Sequence, residues 1–590
     1  MTRSLGATLL LALGLSAGFL RPGTAAPADP PSETVWEGKL KIGTGQTVRI
    51  VFHVEKAAGG ALKATFDSPD QGASGLKVDT ATIDEEKVVF DMTGLASKFS
   101  GKLNKEKTEA VGNWEQGGAA LPLTLVKKAK ASPDPDAIVG KEQLWEGKLA
   151  VGAGLSLRLV VHVGKNAAGK LVATMDSPDQ GSKGIKASSV TTDAETLKFE
   201  IKAIGGKFEG KLSKDGKEAT GTWTQGGGTI PLTLRKTDKV AELRRPQTPK
   251  APFAYETEDV SYPNKAGGVS LAGTLTKPKG AGPFPAVIMI SGSGAQDRDE
   301  TLFEHKPFLV IADDLTRRGV AVLRVDDRGV GGSTGDTAKS TSEDFAGDVL
   351  AGIAFLKTRP EIDRKKIGLI GHSEGGVIAP MVAVKSTDVA FIVLLAGTGL
   401  PGDEILQLQG RLIGKALAKK GEDAALESQL AFQKRFLEVA KTEPDLKKAS
   451  AKMKEIYAEM KAAMPEKERK ELGDVESMVT AQLDQLNGPW FRYFLTYDPR
   501  PTLAKVTCPV LALVGEKDLQ VPPRENLTEI TKALKVTKNG PTVVKELTGL
   551  NHLFQTCKTG APGEYAEIEE TISPVALKEI GDWVEARTRR

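Results

Sequence analysis

One short segment constrains the fold of this chain more than any other, the run "KIGLIGHSEGGVIAPMVA" at residues 366–383. The β-forming residues before Gly371 predict a strand, and the apolar spacing from Val377 predicts a helix. Ser373 lies at the corner between them, two residues after one glycine and two before Gly375. A serine held in strained backbone at such a corner brings the flanking residues so close to other backbone that side chains there would clash. The pattern Gly-x-Ser-x-Gly therefore predicts a nucleophilic serine at the end of a buried strand; the alternative is a glycine-rich turn with an incidental serine.

From Glu256 onward, apolar strand-like runs alternate with helical stretches such as "SEDFAGDVLAGIAFLKTR". Interleaved strands and helices predict a mostly parallel sheet with helices on both faces, an α/β domain over residues 255–590. Residues 403–488 interrupt this alternation of strands and helices, because they are almost wholly helical in pattern and rich in Lys, Glu, Ala, Leu and Met. They lie between two predicted strands, and we expect them to form an inserted helical cap. The predicted strands are "GVSLAGTLT", "PAVIMIS", "VAVLRVD", "KIGLIG", "VAFIVLLAG", "PVLALVG" and "TVVKEL".

A serine hydroxyl needs a base to act as a nucleophile at neutral pH, and the chain has only five histidines. His53 and His162 occupy equivalent places in a repeated N-terminal segment, where we interpret them as packed or surface strand residues. His305 precedes the serine, and the side chain of His372 should point away from the corner. In folds with this serine turn, the chain order is serine, acid, histidine. Only His552, in "LTGLNHLFQ" after the last predicted strand, lies downstream, and it is the predicted base.

The acid that orients the base should follow the preceding strand, and "PVLALVGEKDLQVPP" offers two carboxylates. Asp518 stands at the apex of this loop and is the predicted acid, with Glu516 as the alternative. The negative charge of a tetrahedral intermediate also needs backbone N–H donors. One should be the amide of Glu374, directly after the serine, whose side chain receives no role. The other should come from "MISGSGAQDRD", through Ser293 or Gly294.

The N-terminal part of the chain repeats itself. "VWEGKLKIGTGQTVRIVFHV" returns as "LWEGKLAVGAGLSLRLVVHV", and Trp36 and Trp145 stand 109 positions apart. β-Type alternation without helical periodicity predicts two tandem all-β repeats, at 33–128 and 142–236, each a small antiparallel sandwich or meander barrel. Both contain "DSPDQG", which we interpret as a turn, with a ligand-binding loop as the alternative. A Pro-rich linker is predicted at 237–254.

The first residues have the pattern of an export signal. Arg3 precedes the apolar run Leu5–Leu20, and small residues follow. We expect residues 1–26 to be a signal peptide cleaved after Ala25 or Ala28, since the apolar run is short for a membrane span; an uncleaved anchor is the alternative. No later segment is apolar enough to span a bilayer. The mature protein is therefore expected to be exported, either periplasmic or secreted.

Length and composition narrow the function classes. A chain of 590 residues should contain two to four domains. A net charge of +4, with both signs interspersed, does not indicate a nucleic-acid partner. Cys508 and Cys557 could form one disulfide in an exported protein, but their predicted places at opposite ends of the sheet favour two free thiols.

Residues 256–590 resemble the α/β-hydrolases of the secreted bacterial esterase type, similar to EstD-type carboxylesterases and to serine-aminopeptidase-like hydrolases. The resemblance is carried by "SGSGAQDRDE", "LRVDDRGVGGSTG", "GHSEGG", "GEKDLQVPP" and "GLNHLFQ". It implies a catalytic triad of Ser373, Asp518 and His552, and a structural role for Arg328 in bracing its loop. The duplicated N-terminal unit resembles a domain found beside such hydrolases.

These features predict an exported serine hydrolase that cleaves small carboxylic esters through an acyl-enzyme on Ser373. No metal or organic cofactor is implied. One alternative is a peptidase or aminopeptidase with the same triad. Another is a binding protein, in which the repeats contact a glycan, the cell envelope or a protein; the intact serine, acid and histidine favour the enzyme.

Overall fold

The computed structural model describes residues 34–589, except for 43–45, 57–61, 70–72, 79, 93–96, 117–118, 129–133, 135, 153–154, 181, 226–227, 241–242, 419–421, 464–465, 467–485 and 536–540. The predicted signal peptide at 1–26 lies outside the described residues. The chain divides into two compact units, with the boundary at Leu243, and each is described by itself.

The N-terminal unit contains two nine-stranded antiparallel sheets with the same strand order. In the first sheet the order is β4-β3-β2-β1-β9-β8-β7-β6-β5, so the last strand returns to pair with the first. Its strands are β1 Thr34–Ile42, β2 Gln46–Lys56, β3 Leu62–Ser68, β4 Ala73–Val78, β5 Thr80–Ile83, β6 Lys87–Met92, β7 Ser97–Leu103, β8 Glu109–Gln116 and β9 Ala119–Lys128. Those of the second sheet are β10 Gln143–Gly152, β11 Leu155–Lys165, β12 Leu171–Ser177, β13 Ser182–Lys186, β14 Ser189–Thr192, β15 Thr196–Ile201, β16 Gly206–Leu212, β17 Glu218–Gln225 and β18 Gly228–Thr237. The observed meander is one continuous sheet per copy.

Alternating side chains give each sheet an aromatic core. In the first sheet Phe52 stacks on Phe90 with ring centroids 4.1 Å apart, and Trp114 packs beside them. In the second sheet Phe199 contacts Phe208 at 5.3 Å. Phe199 and Phe208 alternate with polar residues along their strands, as expected for a sheet with one buried face.

The C-terminal unit is built on an eight-stranded sheet of order β19-β20-β22-β21-β23-β24-β25-β26. The pairs β19–β20 and β20–β22 are antiparallel and all others are parallel. The strands are β19 Glu256–Asn264, β20 Val269–Lys277, β21 Phe284–Ile290, β22 Ala321–Val325, β23 Ile362–His372, β24 Val389–Leu395, β25 Val510–Gly515 and β26 Thr542–Leu547. The helices are α1 Pro307–Arg317, α2 Ser342–Thr358, α3 Gly375–Lys385, α4 Gly402–Leu417, α5 Asp423–Thr442, α6 Leu446–Ala463, α7 Pro489–Thr496, α8 Arg500–Leu503, α9 Pro523–Leu534 and α10 Pro574–Thr588. None of the helices in the described part of the chain is long and apolar enough to cross a membrane.

The central strands are apolar throughout because helices cover both faces of the sheet. Ile288 and Leu369 face one hydrophobic cluster, whereas Val287, Met289 and Ile370 face the other. Successive residues of a strand point to opposite faces, so a sheet covered on both sides needs continuous apolar runs. The prediction of a parallel sheet rests on these continuous apolar runs.

The helices α4, α5 and α6 lie between β24 and β25, where the cap was predicted. They pack with α7 around a core of their own that includes Leu406, Phe436, Met453 and Phe491. Part of the predicted cap, at 464–465 and 467–485, lies outside the described residues.

The Pro-rich segment predicted as a linker differs from a free spacer. Strand β18 already ends at Thr237, and residues from Leu243 onward belong to the C-terminal unit. The guanidinium of Arg245 donates to the carbonyls of Phe303, Ala566 and Ile568 at 2.8–3.1 Å. The half-buried side chain of Arg245 thus holds this segment to the α/β domain, and Gln247 adds a bond to the carbonyl of Ile572, neither of which the Pro-rich composition revealed.

The two cysteines are free thiols, as predicted. Cys508 precedes β25, and Cys557 lies in the chain after β26.

Candidate active site

Ser373 occupies a sharp turn between the end of β23 at His372 and the start of α3 at Gly375. Its φ of 52° is in the left-handed region, which non-glycine residues rarely adopt. The turn is held by its backbone: the Ser373 amide donates to the carbonyl of Leu395 at 2.8 Å, and its carbonyl accepts from the amide of Gly376 at 2.9 Å. Strain of about 1–3 kcal/mol persists only where the surrounding structure enforces it, which is typical of functional positions.

The two glycines of the motif are required by close backbone approach. A Cβ on Gly371 would lie 1.9 Å from the carbonyl oxygen of Gly375. A Cβ on Gly375 would lie 2.1 Å from the carbonyl oxygen of Ile290, at the end of β21. Both distances are too short for any side chain, so the spacing of the motif follows from the geometry of the turn.

The predicted base and acid are in direct contact. His552 Nδ1 lies 2.8 Å from Asp518 Oδ2, and the two side chains are only 6% and 0% exposed. The other oxygen of Asp518 accepts from the backbone amides of Gln520 and Val521, both at 2.8 Å. An acid held in this way fixes the imidazole so that Nε2 is free for proton transfer. The alternative acid, Glu516, instead accepts from the exposed amide of Gly549 at 2.8 Å.

The residue before Ser373 contacts the proposed base. The rings of His372 and His552 lie 4.9 Å apart, and His372 Nε2 is 3.0 Å from the backbone oxygen of His552. Among the described residues, the Ser373 hydroxyl has no hydrogen-bond partner. Catalytic hydrogen bonds are often long in free enzymes and tighten only when substrate is bound.

The loop after β21 lies against the nucleophile. A Cβ added at Gly292 would be 3.2 Å from the Cβ of Ser373. The Gly292 amide is already used, because it donates to Glu300 Oε1 at 2.6 Å. Within the part of the chain that the structure describes, the amides of Ser293, Gly294 and Glu374 donate to no protein acceptor. All three predicted donors thus have an N–H group that no described protein atom accepts. The choice between Ser293 and Gly294 stays a prediction.

Strand order and chain order now agree on one fold. The serine follows β23, the acid follows β25 and the histidine follows β26, in a sheet whose strands are parallel from β22 to β26. The C-terminal unit therefore has the strand order and residue order of the α/β-hydrolase fold, and we call it the hydrolase domain. It is the part of the chain that carries the proposed chemistry.

Comparisons with known proteins concern this hydrolase domain. Residues 267–549 match the family model of X-Pro dipeptidyl-peptidases of the S15 family. A stretch of 187 residues is 31% identical to esterase EstD of Thermotoga maritima, and the match covers 30% of this chain and 43% of that protein. The chain therefore matches less than half the length of this curated relative.

Solved structures are similar over the same region at low identity. The α/β-hydrolase GrgF from Penicillium sp. sh18 has 17% identity over 57% of this chain and 100% of that chain, with a TM-score of 0.35. The Pyrococcus furiosus esterase Pf2001 has 16% identity over 59% of this chain and 100% of that chain, with a TM-score of 0.35.

Four contacts beside the candidate site were missed by the sequence interpretation. Glu374, which received no side-chain role, is 3% exposed and accepts from the hydroxyl of Ser342 at 2.5 Å and from Trp490 Nε1 at 2.8 Å. Burial raises the pKa of Glu374 above its usual value, while the hydrogen bonds from these donors oppose the shift. The other two involve His372, whose ring contacts Glu300 and the backbone of the proposed base.

The remaining histidine of the hydrolase domain is structural. His305 is buried, with Nδ1 2.8 Å from Thr571 Oγ1 and Nε2 3.1 Å from the carbonyl of Tyr565. Burial and the nearby Arg245 guanidinium lower the pKa of His305 to about 4. It is therefore neutral at physiological pH and lies outside the triad.

Arg328 braces its loop, in the role that the resemblance implied. Its guanidinium contacts both carboxylate oxygens of Asp348, at 2.5 and 3.0 Å, and the carbonyl of Asp344 at 3.1 Å.

The N-terminal histidines pair with acids on neighbouring strands. His53 Nε2 is 2.9 Å from Asp67, and His162 Nε2 is 3.2 Å from Asp176. The acids of the second "DSPDQG" segment bind backbone amides: Asp176 accepts from Gly184 N, and Asp179 accepts from Arg158 N on strand β11. These contacts favour the turn over a ligand loop. Across the described ranges, no cluster of three or more potential ligands could hold a metal ion.

Proposed function

We propose that the protein is an exported serine hydrolase whose hydrolase domain cleaves carboxylic esters. The observation that carries the proposal is the combination of a strained serine, Ser373, with the buried Asp518–His552 pair at the same edge of the sheet. The name of the relative from Thermotoga maritima, an esterase, supports the ester as substrate.

The proposed reaction begins when the Ser373 hydroxyl oxygen attacks the ester carbonyl and its proton passes to His552 Nε2. Asp518 stabilises the imidazolium that forms. The oxyanion of the tetrahedral intermediate accepts hydrogen bonds from the Glu374 amide and from that of Ser293 or Gly294, each donor contributing about 3–4 kcal/mol.

The intermediate then collapses. His552 returns the proton to the leaving alcohol as the carbon–oxygen bond breaks, and an acyl-enzyme remains on Ser373. Water, deprotonated by His552, attacks the acyl carbon, and the released proton returns to the serine oxygen. Acid and free serine are the products.

Amide hydrolysis is the second candidate function, and the match of residues 267–549 to X-Pro dipeptidyl-peptidases favours it. A peptidase would need His552 to protonate an amine leaving group and would need a subsite for the free amine of its substrate.

One experiment separates the two. The purified protein is assayed on p-nitrophenyl esters of two to eight carbons and on aminoacyl and X-Pro p-nitroanilides, with Ser373→Ala as control. The proposal expects ester turnover that the control lacks and little anilide turnover. Preferential cleavage of the anilides would indicate that the protein is a peptidase and not an esterase.

We also propose that the two N-terminal sheets arose by duplication and that they space or anchor the enzyme at the cell envelope. The four tryptophans of this unit are buried in the sheets, each no more than 3% exposed, and none of them offers a face on which a sugar ring could stack; they are Trp36, Trp114, Trp145 and Trp223. This favours a spacer or a protein contact over a glycan-binding module. Cosedimentation of the full-length protein with purified peptidoglycan tests the point, and strong retention would favour the glycan.

A further inference from the structure

A second histidine–carboxylate pair lies directly behind the nucleophile. His372 Nδ1 is 3.0 Å from Glu300 Oε1, and the side chains are 10% and 9% exposed. The other ring nitrogen, Nε2, is 3.0 Å from the backbone oxygen of His552. The ring therefore spans the space between a buried carboxylate and the main chain of the proposed base.

The partners of this ring determine its protonation. A backbone carbonyl and a carboxylate are both hydrogen-bond acceptors, so both nitrogens of His372 must donate. A neutral imidazole has only one N–H, and the geometry thus corresponds to the imidazolium form. Burial alone would lower the pKa of His372, but the charge and hydrogen bond of Glu300 and the bond to the His552 carbonyl raise it above its ordinary value.

The same carboxylate oxygen also holds the loop after β21, residues 291–300, which we call the oxyanion loop. Glu300 Oε1 accepts from the Gly292 amide at 2.6 Å, one residue before Ser293. Glu300 itself has a φ of 50°, an uncommon conformation for a non-glycine residue, and its amide donates to the Asp297 carbonyl at 2.8 Å. The pair thus connects the loop after β21, the nucleophile turn and the base.

We propose that the Glu300–His372 ion pair has a positioning role: it holds the oxyanion loop and the main chain of His552 at fixed positions relative to Ser373. The proposal rests on the proposed serine hydrolase function. Neither residue touches the reacting atoms: Glu300 acts through the Gly292 amide, and His372 acts through the His552 carbonyl. Because misplacement by about 1 Å can cost on the order of 100-fold in rate, a link of this kind matters for catalysis.

The pair also predicts an alkaline limit of activity. The charged and titratable groups that face His372 are Glu300 on the oxyanion loop, Asp518 on the loop after β25 and His552 itself, and Phe554 supplies an apolar wall. A histidine whose folded pKa is raised contributes stability that is present below its unfolded value and is lost as pH rises through the folded value. The site should therefore loosen at alkaline pH, when His372 loses its second proton.

The test compares Glu300→Gln and His372→Gln with His305→Asn, which changes another buried histidine that makes no contact with the triad. Initial rates on p-nitrophenyl acetate are measured from pH 5.5 to 10, together with thermal unfolding. Both positioning variants should lower kcat by about 10- to 100-fold with KM changed less than about threefold. In Glu300→Gln the alkaline limb should move to lower pH, whereas His305→Asn should keep the wild-type profile. Folded variants with wild-type kcat and an unmoved alkaline limb would overturn the proposal.

A second measurement uses the wild-type protein and needs no turnover. Nitrogen-15 NMR of its five histidines should show that the His372 ring, assigned by elimination with variants at the other four, keeps both N–H protons at pH 8. A neutral His372 at pH 7 would overturn the ion pair even if the positioning variants fail to fold. If the wild-type protein shows neither ester turnover nor fluorophosphonate labelling, the proposed function is refuted, whereas the ion pair is unaffected.

Discussion

The indole nitrogen of Trp490 donates to the carboxylate of Glu374, 2.8 Å from Oε1 and 3.0 Å from Oε2. Trp490 lies in α7, which follows the cap, whereas Glu374 follows Ser373 and supplies a predicted oxyanion donor. The same carboxylate accepts from Ser342 at the start of α2. One buried carboxylate therefore ties the exit of the cap to the nucleophile turn.

Replacing Trp490 by Phe should change acyl-chain preference more than the chemical step. The variant removes the indole N–H, while the ring can still stack on Phe494, whose centroid is 5.4 Å away. Because α7 then loses its anchor, long acyl chains should lose contacts that acetate never makes. We expect kcat/KM to fall about tenfold on octanoate, the equivalent of one charged hydrogen bond, and about twofold on acetate.

The control for this prediction is Phe491→Leu. Phe491 is 4% exposed and packs inside the cap core, so its change should lower thermal stability and leave the preference intact. If Trp490→Phe slows acetate and octanoate equally, the contact with Glu374 does not shape the acyl pocket.

Asp518→Asn should nearly abolish turnover, whereas Glu516→Gln should not. The amide at position 518 would stabilise the wrong tautomer of His552, and a loss of kcat on the order of 10⁴-fold is expected with little change in KM. Glu516 binds only the Gly549 amide near the surface. Steady-state kinetics of the two variants show which carboxylate orients His552. A large loss of kcat in the Glu516 variant would show that the acid has been misassigned.

Local features of the sequence were sufficient to select Ser373, Asp518 and His552 as the candidate triad. The turn at Ser373 was predictable because the clashes that require Gly371 and Gly375 arise within a few residues, or at the end of an adjacent strand. His552 followed by elimination from five histidines, and Asp518 from its place at a loop apex.

Contacts that depend on tertiary packing were not predictable. Glu300 and His372 are 72 positions apart, and Glu374 and Trp490 are 116 apart, so no local pattern marks either pair. Strand β19 was also missed, because "ETEDVSYPN" is largely polar and contains Pro263. Both properties are tolerated at the edge of a sheet, where β19 lies.

His305 should make the hydrolase domain sensitive to acid. The pKa of this histidine is lowered from 6.5 to about 4 in the folded state, so its contribution to stability is fully present above about pH 6.5 and is lost as pH falls through about 4. Between pH 7 and pH 4, urea denaturation should show wild type losing roughly 3 kcal/mol more of its unfolding free energy than His305→Asn. Parallel pH dependences for the two proteins would contradict the assignment of His305 as a buried neutral group.

Arg245→Ala should destabilise the hydrolase domain although it lies before the first strand of the sheet. Its guanidinium donates to three main-chain carbonyls, so about 2–4 kcal/mol of unfolding free energy should be lost. The neighbouring Arg244 is 73% exposed and pairs only with Glu569, and Arg244→Ala should cost less than about 1 kcal/mol. Denaturant titration of both variants measures the difference, and equal losses would mean that residues 244–253 are a spacer after all.

The same contacts set the boundary of the smallest active fragment. A fragment that begins at Leu243 should fold and hydrolyse acetate esters, whereas one that begins at Tyr255 lacks Arg245 and should melt at a lower temperature. A soluble, folded and inactive fragment from Leu243 would show that the N-terminal sheets take part in catalysis.

The most direct test of the central claim is to identify the residue that a fluorophosphonate probe modifies. A strained serine with a histidine base should react covalently, and mass spectrometry of the labelled protein should locate the adduct on the peptide that contains Ser373. Ser373→Ala should remain folded, fail to label and lose ester turnover. An adduct on a different serine, or a Ser373→Ala variant that retains full activity, would contradict the assignment of Ser373 as the nucleophile.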